Sequence, residues 1–413
     1  MGCSFSVLIN QYPTTFTNMR FESTLWTALL SYVAPALGAN VLVGYYPTWK
    51  HAAMSNMDLS NYTHVNVAFA IPHENGSLAF EGDTFMDKLV PKLQGAGSKV
   101  LVSIGGWSGS ANFSSITKDT ALSGTLTKSI IDMMTKYKLD GIDIDWEFPG
   151  RKGSDCNVVD EQNDATNFLK YLNDLRAKMD EAFGKGKLIT LALRIQPFDG
   201  PGGKDVSGFA KVVDFANLMQ YDLNGAWGET SGPLAPLNFE EKKGTQLSFA
   251  TAIEAWTKAG WPAKQLTAGA AFYGYSVTAT EDMLKTNPPN QYAKMAKERP
   301  KGDQEDEMVT EPCSSAPKAY TGIWTYKNLR GQGVLSSPDE AKAPWVRTFD
   351  NKTMTPWLFN SESKVFISYD DQRSLAAKVK FAESKGLGGM MVWSIERDYN
   401  GELLSELKKF GSK

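Results

Sequence analysis

The run Asp140-Gly-Ile-Asp143-Ile-Asp145-Trp-Glu147-Phe-Pro149 decides how this chain folds. Side chains of a strand alternate between its faces, so Asp143, Asp145 and Glu147 share one face and Ile142, Ile144 and Trp146 the other. Such a strand needs helices over its apolar face and an enclosed polar space beneath its acids. Carboxylates stacked in this way repel one another when ionised, and burial penalises each charge further. At least one of them is expected to hold a proton at neutral pH, which is what a general acid requires. Asp140 has the opposite parity and reads as an anchor at the start of the strand.

Outward from this run, short β-rich segments begin near Val41, Thr63, Lys99, Leu139, Lys187, Val213, Leu266 and Leu387. Amphipathic stretches separate them; in 162–183, Phe168, Tyr171, Leu172, Leu175 and Met179 fall near helical spacing. Eight strands alternating with helices predict an α/β fold, a parallel (β/α)8 TIM barrel, with an open doubly wound sheet as the competing arrangement. In a barrel the acidic row faces the interior and climbs toward the C-terminal rim, although Val, Ile and Leu usually fill that space. The barrel is expected over 40–276 and 369–413. Residues 277–368, between the seventh and eighth strands, are far too many for one helix, and a structureless loop of that length is improbable. They are expected to form an inserted subdomain. Asp370 and Asp371 then open the delayed barrel helix.

Composition excludes several classes of function. The 43 basic residues against 46 acidic ones leave no basic footprint for nucleic acid or an anionic membrane. With only three histidines, and no His-Glu-x-x-His, paired Cys-x-x-Cys or dinucleotide fingerprint, neither a metal nor a cofactor is expected. The apolar run 25–37 is too short to span a bilayer. Arg20 precedes it and the small pair Gly38-Ala39 follows it, so 1–39 reads as a leader or signal peptide, against a buried N-terminal helix. Cleavage after Ala39 would remove Cys3 and leave Cys156 and Cys313 as an even pair for an oxidising compartment. Asn61, Asn75, Asn112 and Asn351 stand in glycosylation sequons. A secreted, extracellular, monomeric glycoprotein is the expectation.

The acidic run resembles the Asp-x-x-Asp-x-Asp-x-Glu signature of family 18 glycoside hydrolases, the chitinase family, on Asp140, Asp143, Asp145 and Glu147. Four further segments are similar to that family in order: Gly44-Tyr45-Tyr46, Ser103-Ile-Gly105-Gly106-Trp107, Met219-Gln-Tyr221-Asp222, and Gly388-Gly389-Met-Met-Val-Trp393. The resemblance runs from about Val41 to about Phe410, and the family's small α+β subdomain falls where the insertion is expected.

It implies retaining, substrate-assisted hydrolysis of β-1,4-linked N-acetylglucosamine in chitin or chitooligosaccharides, an exception to the two-carboxylate scheme. Glu147 would be acid and then base, Asp145 would orient the N-acetyl group, Asp143 would share a proton with Asp145, and Tyr221 would donate to the acetamide. Tyr45, Phe69, Gly106, Trp107, Met219, Asp222 and Trp393 would bind substrate, with Trp393 as the floor beneath the distorted sugar. Trp227 also stands near a strand end. Cys156 follows the acidic strand and Cys313 lies in the insertion, so a disulfide tying the two above the rim is expected.

Phe148, Arg194 and Tyr275 depart from the family pattern, and Arg194 is expected to crowd the cleft or lower the pKa of a nearby acid. The rival reading is a catalytically weak or silent chitin-oligosaccharide-binding protein, a chitinase-like lectin or effector. Because such proteins typically lose a member of the acidic row and this chain keeps all of it, the hydrolase is preferred. A hydrolase of N-glycans ranks lower.

Overall fold

The structure, a computed structural model, describes residues 40–412. The leader expected over 1–39, with Cys3, lies outside the described residues.

Eight parallel strands form the barrel: β1 Val41–Pro47, β2 His64–Pro72, β3 Lys99–Gly105, β4 Gly141–Asp145, β5 Leu188–Leu193, β6 Phe215–Leu218, β7 Leu266–Ala271 and β8 Gly389–Trp393. Each pairs with its neighbours in sequence order, and β1 closes the ring by pairing with both β2 and β8. The sheet is therefore closed, not the open doubly wound alternative. Every strand expected from the sequence is present, each beginning within a few residues of its expected place.

Alternation explains the layering. Ile142, Ile144 and Trp146 face outward into the main core, where Trp146 stacks on Phe113 and meets Phe168 edge-on. Phe168, Tyr171, Leu172, Leu175 and Met179 of the helix Asp164–Phe183 are all buried there. The inward face differs from an ordinary barrel interior. Val41, Val43, Tyr45, Ala68, Phe215 and Met391 form a small apolar cluster, and around it Asn66, Ser103, Asp143, Thr190, Asn217 and Thr267 are buried polar groups.

Between β7 and β8 stands a five-stranded antiparallel sheet in the order Ile323–Thr325, Tyr273–Thr278, Val365–Ser368, Thr355–Asn360, Trp345–Asp350. Its first strand in the chain starts only two residues after β7 ends, so the sheet rises directly from the C-terminal rim. Asp371 caps the helix Gln372–Ser384 through a reciprocal capping box with Ser374. It also pairs with Arg347 of the inserted sheet, joining insertion to barrel.

One residue earlier, Asp370 holds Lys378 in a fully buried ion pair, its carboxylate oxygens 2.7 and 2.5 Å from Nζ. Breaking such a pair strands an uncompensated charge. Lys378→Met is therefore expected to cost about 3–5 kcal/mol, while Lys378→Met with Asp370→Leu recovers most of it. Urea unfolding at neutral pH reads both, and a single-variant cost under about 1 kcal/mol would mean that solvent already screens the pair.

Candidate active site

The acidic row climbs from a buried base to an open mouth. Asp143 lies deepest and fully buried. One of its oxygens accepts from Tyr45 Oη at 2.8 Å and Ser103 Oγ at 2.7 Å. The other accepts from Thr190 Oγ1 at 2.6 Å and, more weakly, Asn217 Nδ2 at 3.4 Å. These donors come from β1, β3, β5 and β6, so the base of the site is clamped from around the ring. Burial raises the pKa of Asp143, and the four donors work against that rise. No hydrogen bond joins Asp143 to Asp145, because its lone pairs are already taken; the two interact through charge.

Asp145, next up, is buried, and its Oδ1 has no hydrogen-bond partner. Burial, then the charges of Glu147 and Asp143, push its pKa well above the ordinary carboxylate value. The backbone holds it firmly: its carbonyl accepts from Gly106 N at 2.8 Å and Ser110 Oγ at 3.2 Å. A Cβ on Gly105 would stand 2.2 Å from that carbonyl, and Gly105 has φ +111°, so glycine is required there on both counts.

Glu147 stands at the mouth, half-buried. Its N–H donates to Ser110 Oγ at 2.9 Å and its carbonyl accepts from Asn157 Nδ2 at 2.6 Å. The protein walls around it, and next the charge of Asp222, push its pKa up to about 8. Asp222, on the open side of the cleft, is itself raised to about 6 by desolvation, against the 2.6 Å hydrogen bond from Tyr273 Oη and the charge of Arg397. Glu147 thus favours its protonated form at neutrality, whereas Asp222 keeps most of its charge there.

A cleft of 760 Å³ contains the upper part of this row. Tyr45, Phe69, Trp107, Asp145, Glu147, Met219, Tyr221, Asp222 and Trp393 all line it, as does Trp227. Asp143 lies below, in the barrel. Gly106 contributes backbone: a Cβ there would meet the Phe69 ring at 2.7 Å. Trp393 meets Tyr45 edge-on at 5.6 Å and stacks against Phe69 at 5.7 Å. Tyr221 Oη approaches Met391 Sδ at 3.9 Å.

Several contributors were not singled out from the sequence. Trp49 is 55% exposed yet stacks on Phe69 at 6.2 Å and lies 6.4 Å from Trp393, extending the aromatic floor. Its signal was available, since it follows β1 by two residues. Ser110, Asn157 and Tyr273 act through contacts that no motif announces. Among the departures, Phe148 and Tyr275 line the cleft, Tyr275 packing edge-on to Trp227. Arg194 also lines it, as a residue crowding the cleft would. Its Nη2 is turned to Asp199 Oδ1 and the Pro197 carbonyl, both at 2.9 Å, so its charge is directed to Asp199. Cys156 and Cys313 are joined in a disulfide.

A family model described as glycosyl hydrolases family 18 matches residues 41–398. The chain is 34% identical over 400 residues to a chitinase-like effector of Moniliophthora roreri, spanning 93% of this chain and 96% of that one. It is 27% identical over 449 residues to Chitinase A1 of Niallia circulans, spanning 92% of this chain and 60% of that protein. Among solved structures, a chitinase from Rhizomucor miehei superposes with a TM-score of 0.82 at 30% identity, over 90% of this chain and all of that one.

The raised carboxyl of Glu147 has a consequence for stability. Its folded pKa of about 8 lies above the ordinary 4.5. Between those values the folded state binds more protons than the unfolded state, so this group's contribution is fully present below pH 4.5 and is lost as pH rises toward 8. Glu147→Gln is expected to leave the thermal midpoint unchanged at pH 4 and raise it at pH 8.5. An equal midpoint difference at both pH values would sink this assignment.

Proposed function

The chain belongs to glycosyl hydrolase family 18, and from that premise we propose that it hydrolyses β-1,4 bonds between N-acetylglucosamine units of chitin or chitooligosaccharides. The observation that carries this reading is Glu147, a half-buried carboxyl held to about pKa 8 directly above an intact buried acidic row. At neutral pH such a group holds its proton and faces the cleft, as protonation of a leaving oxygen requires.

The residues divide the work as follows. Glu147 gives its proton to the glycosidic oxygen as the bond to carbon one breaks. The acetamide carbonyl oxygen of the same sugar bonds to carbon one, forming an oxazolinium ion. Asp145, whose Oδ1 has no protein partner, accepts from the acetamide N–H and balances the developing positive charge. Asp143 fixes the base of the row, saturated by its four donors. Tyr221 donates to the acetamide oxygen. Water then attacks carbon one from the face the leaving group vacated, and the bond from carbon one to the acetamide oxygen breaks to restore the N-acetyl group. Glu147, now a carboxylate, takes the water's proton, so configuration is retained. Trp393, with Tyr45 and Phe69 packed against it, supports the apolar face of the reacting sugar; Gly106, Trp107, Met219 and Asp222 complete the contacts.

The competing reading is a protein that binds chitin fragments without cutting them; two relatives are chitinase-like effectors by name. The unbroken row from Asp143 to Glu147 supports hydrolysis over that reading. The Cys156–Cys313 disulfide supports an oxidising, extracellular site of action. Among the described residues no helix is long and apolar enough to cross a membrane.

Product release from a chromogenic chitobioside tests the assignment. Glu147→Gln is expected to lower turnover by about 10²–10⁴-fold, and wild-type turnover should fall as pH rises through about 8, where Glu147 loses its proton. Wild-type protein that binds chitooligosaccharides but releases no more product than Glu147→Gln would establish the binding protein instead.

A further inference from the structure

The disulfide joins two parts of the rim that are far apart. In the closed ring, β7 and β4 are separated by β6 and β5 on one side and by β8, β1, β2 and β3 on the other. Cys156 follows β4, in the segment whose Asn157 holds the Glu147 carbonyl at 2.6 Å. Cys313 belongs to a stretch of the insertion rooted above β7, where Ile323–Thr325 pairs with Tyr273–Tyr275.

That stretch is braced at its root. Asp303 accepts from Thr325 N at 2.9 Å and Asn328 Nδ2 at 2.9 Å. Asp306 accepts from Gly302 N at 2.7 Å and Gly322 N at 3.0 Å, closing the base of the loop. Glu305 pairs with Lys50, just beyond β1, at 2.6 Å. The far end is covalently fixed to Cys156. A line drawn from its root above β7 to Cys156 is a chord across the barrel mouth.

Cleft-lining residues lie on both sides of that chord. Phe69 and Trp107, at the ends of β2 and β3, are on one side; Arg194 and Tyr221, beyond β5 and β6, are on the other. Both ends of the chord line the same cleft: Thr321 and Ile323 at its root, and Asp155 and Glu311 at the disulfide. One cavity lined on both sides of this chord and at both of its ends is the arrangement that a bridge over the cleft produces.

We propose that residues 299–321, bound through Cys156–Cys313, form a covalent strap over the cleft, so that a sugar chain enters by threading an end beneath it. The proposal rests on the cleft being the site of a chitin chain, and it adds the mode of entry. The interior of a long polymer cannot pass under a closed strap, whereas a short oligomer with free ends can.

Association rates decide it, read by tryptophan fluorescence in Glu147→Gln protein, which binds without turnover. Per binding unit, a long soluble chitin derivative should associate at least about tenfold more slowly than chitohexaose, because only its ends are competent. In Cys156→Ser/Cys313→Ser protein, folded by circular dichroism, the two rates should converge. Equal rates in the bridged protein, a difference that persists without the bridge, or no binding of either ligand would each overturn the proposal. If the double variant does not fold, the bridged protein decides alone: a hexamer with a bulky group at one end should bind and one blocked at both ends should not. Binding of the doubly blocked hexamer overturns threading. Failure of hydrolysis would appear separately, as unmutated protein that releases no product from the chitobioside.

Discussion

Burying a carboxylate at the centre of a barrel is the constraint around which this molecule is arranged. An ionised Asp143 without partners would be driven out or neutralised. Tyr45, Ser103, Thr190 and Asn217 answer it from four strands, each placed by the inward parity of its own strand. The same parity makes the interior polar where barrels are usually aliphatic. The fold's stability then rests on the outer core, in which Trp146, Phe113, Phe168 and their neighbours pack between sheet and helices.

From that clamped base the row becomes progressively less satisfied. Asp143 has four donors, Asp145 has an oxygen with none, and Glu147 is held only through its backbone. Burial raises all three pKa values. Donors oppose the rise only at Asp143, while the charges of Glu147 and Asp143 add to it at Asp145 and that of Asp222 at Glu147. A gradient of hydrogen bonding along one strand thus separates an anchor from groups available to a ligand, within five residues. Gly106 and Ser110 make the gradient rigid: both donate to the Asp145 carbonyl, and Ser110 accepts from the Glu147 N–H. The loop after β3 is as much a part of the site as β4 itself.

The insertion is equally bound to the rim. It springs from the end of β7, is latched to the barrel helix Gln372–Ser384 through Arg347 and Asp371, reaches the segment after β1 through Lys50, and is covalently joined to the segment after β4. Tyr273 and Tyr275, which begin its sheet, also furnish cleft wall and the hydrogen bond to Asp222.

Sequence alone determined the eight strands and the shared face of the acidic row, because each follows from periodicity. It placed a helical stretch over 162–183, where the helix is Asp164–Phe183, and the insertion over 277–368, whereas the inserted sheet already begins at Tyr273. Strand parity is local, so Asp143, Asp145 and Glu147 were legible without any tertiary contact. The tertiary structure decided what those local patterns leave open. Thr190 and Asn217 lie 47 and 74 residues from Asp143 and carry no motif of their own. Pairing of β5 with β4 sets Thr190 in register with Asp143, and the curvature of the sheet brings Asn217 to it from β6. Arg194 looked like a cation that would lower a neighbouring acid, and Asp199, five residues on, takes up its charge instead. Trp49 lies outside every strand and joins the aromatic floor only because the chain after β1 turns back over the rim. Periodicity reports which way a side chain points; which partner meets it depends on how distant strands are brought together.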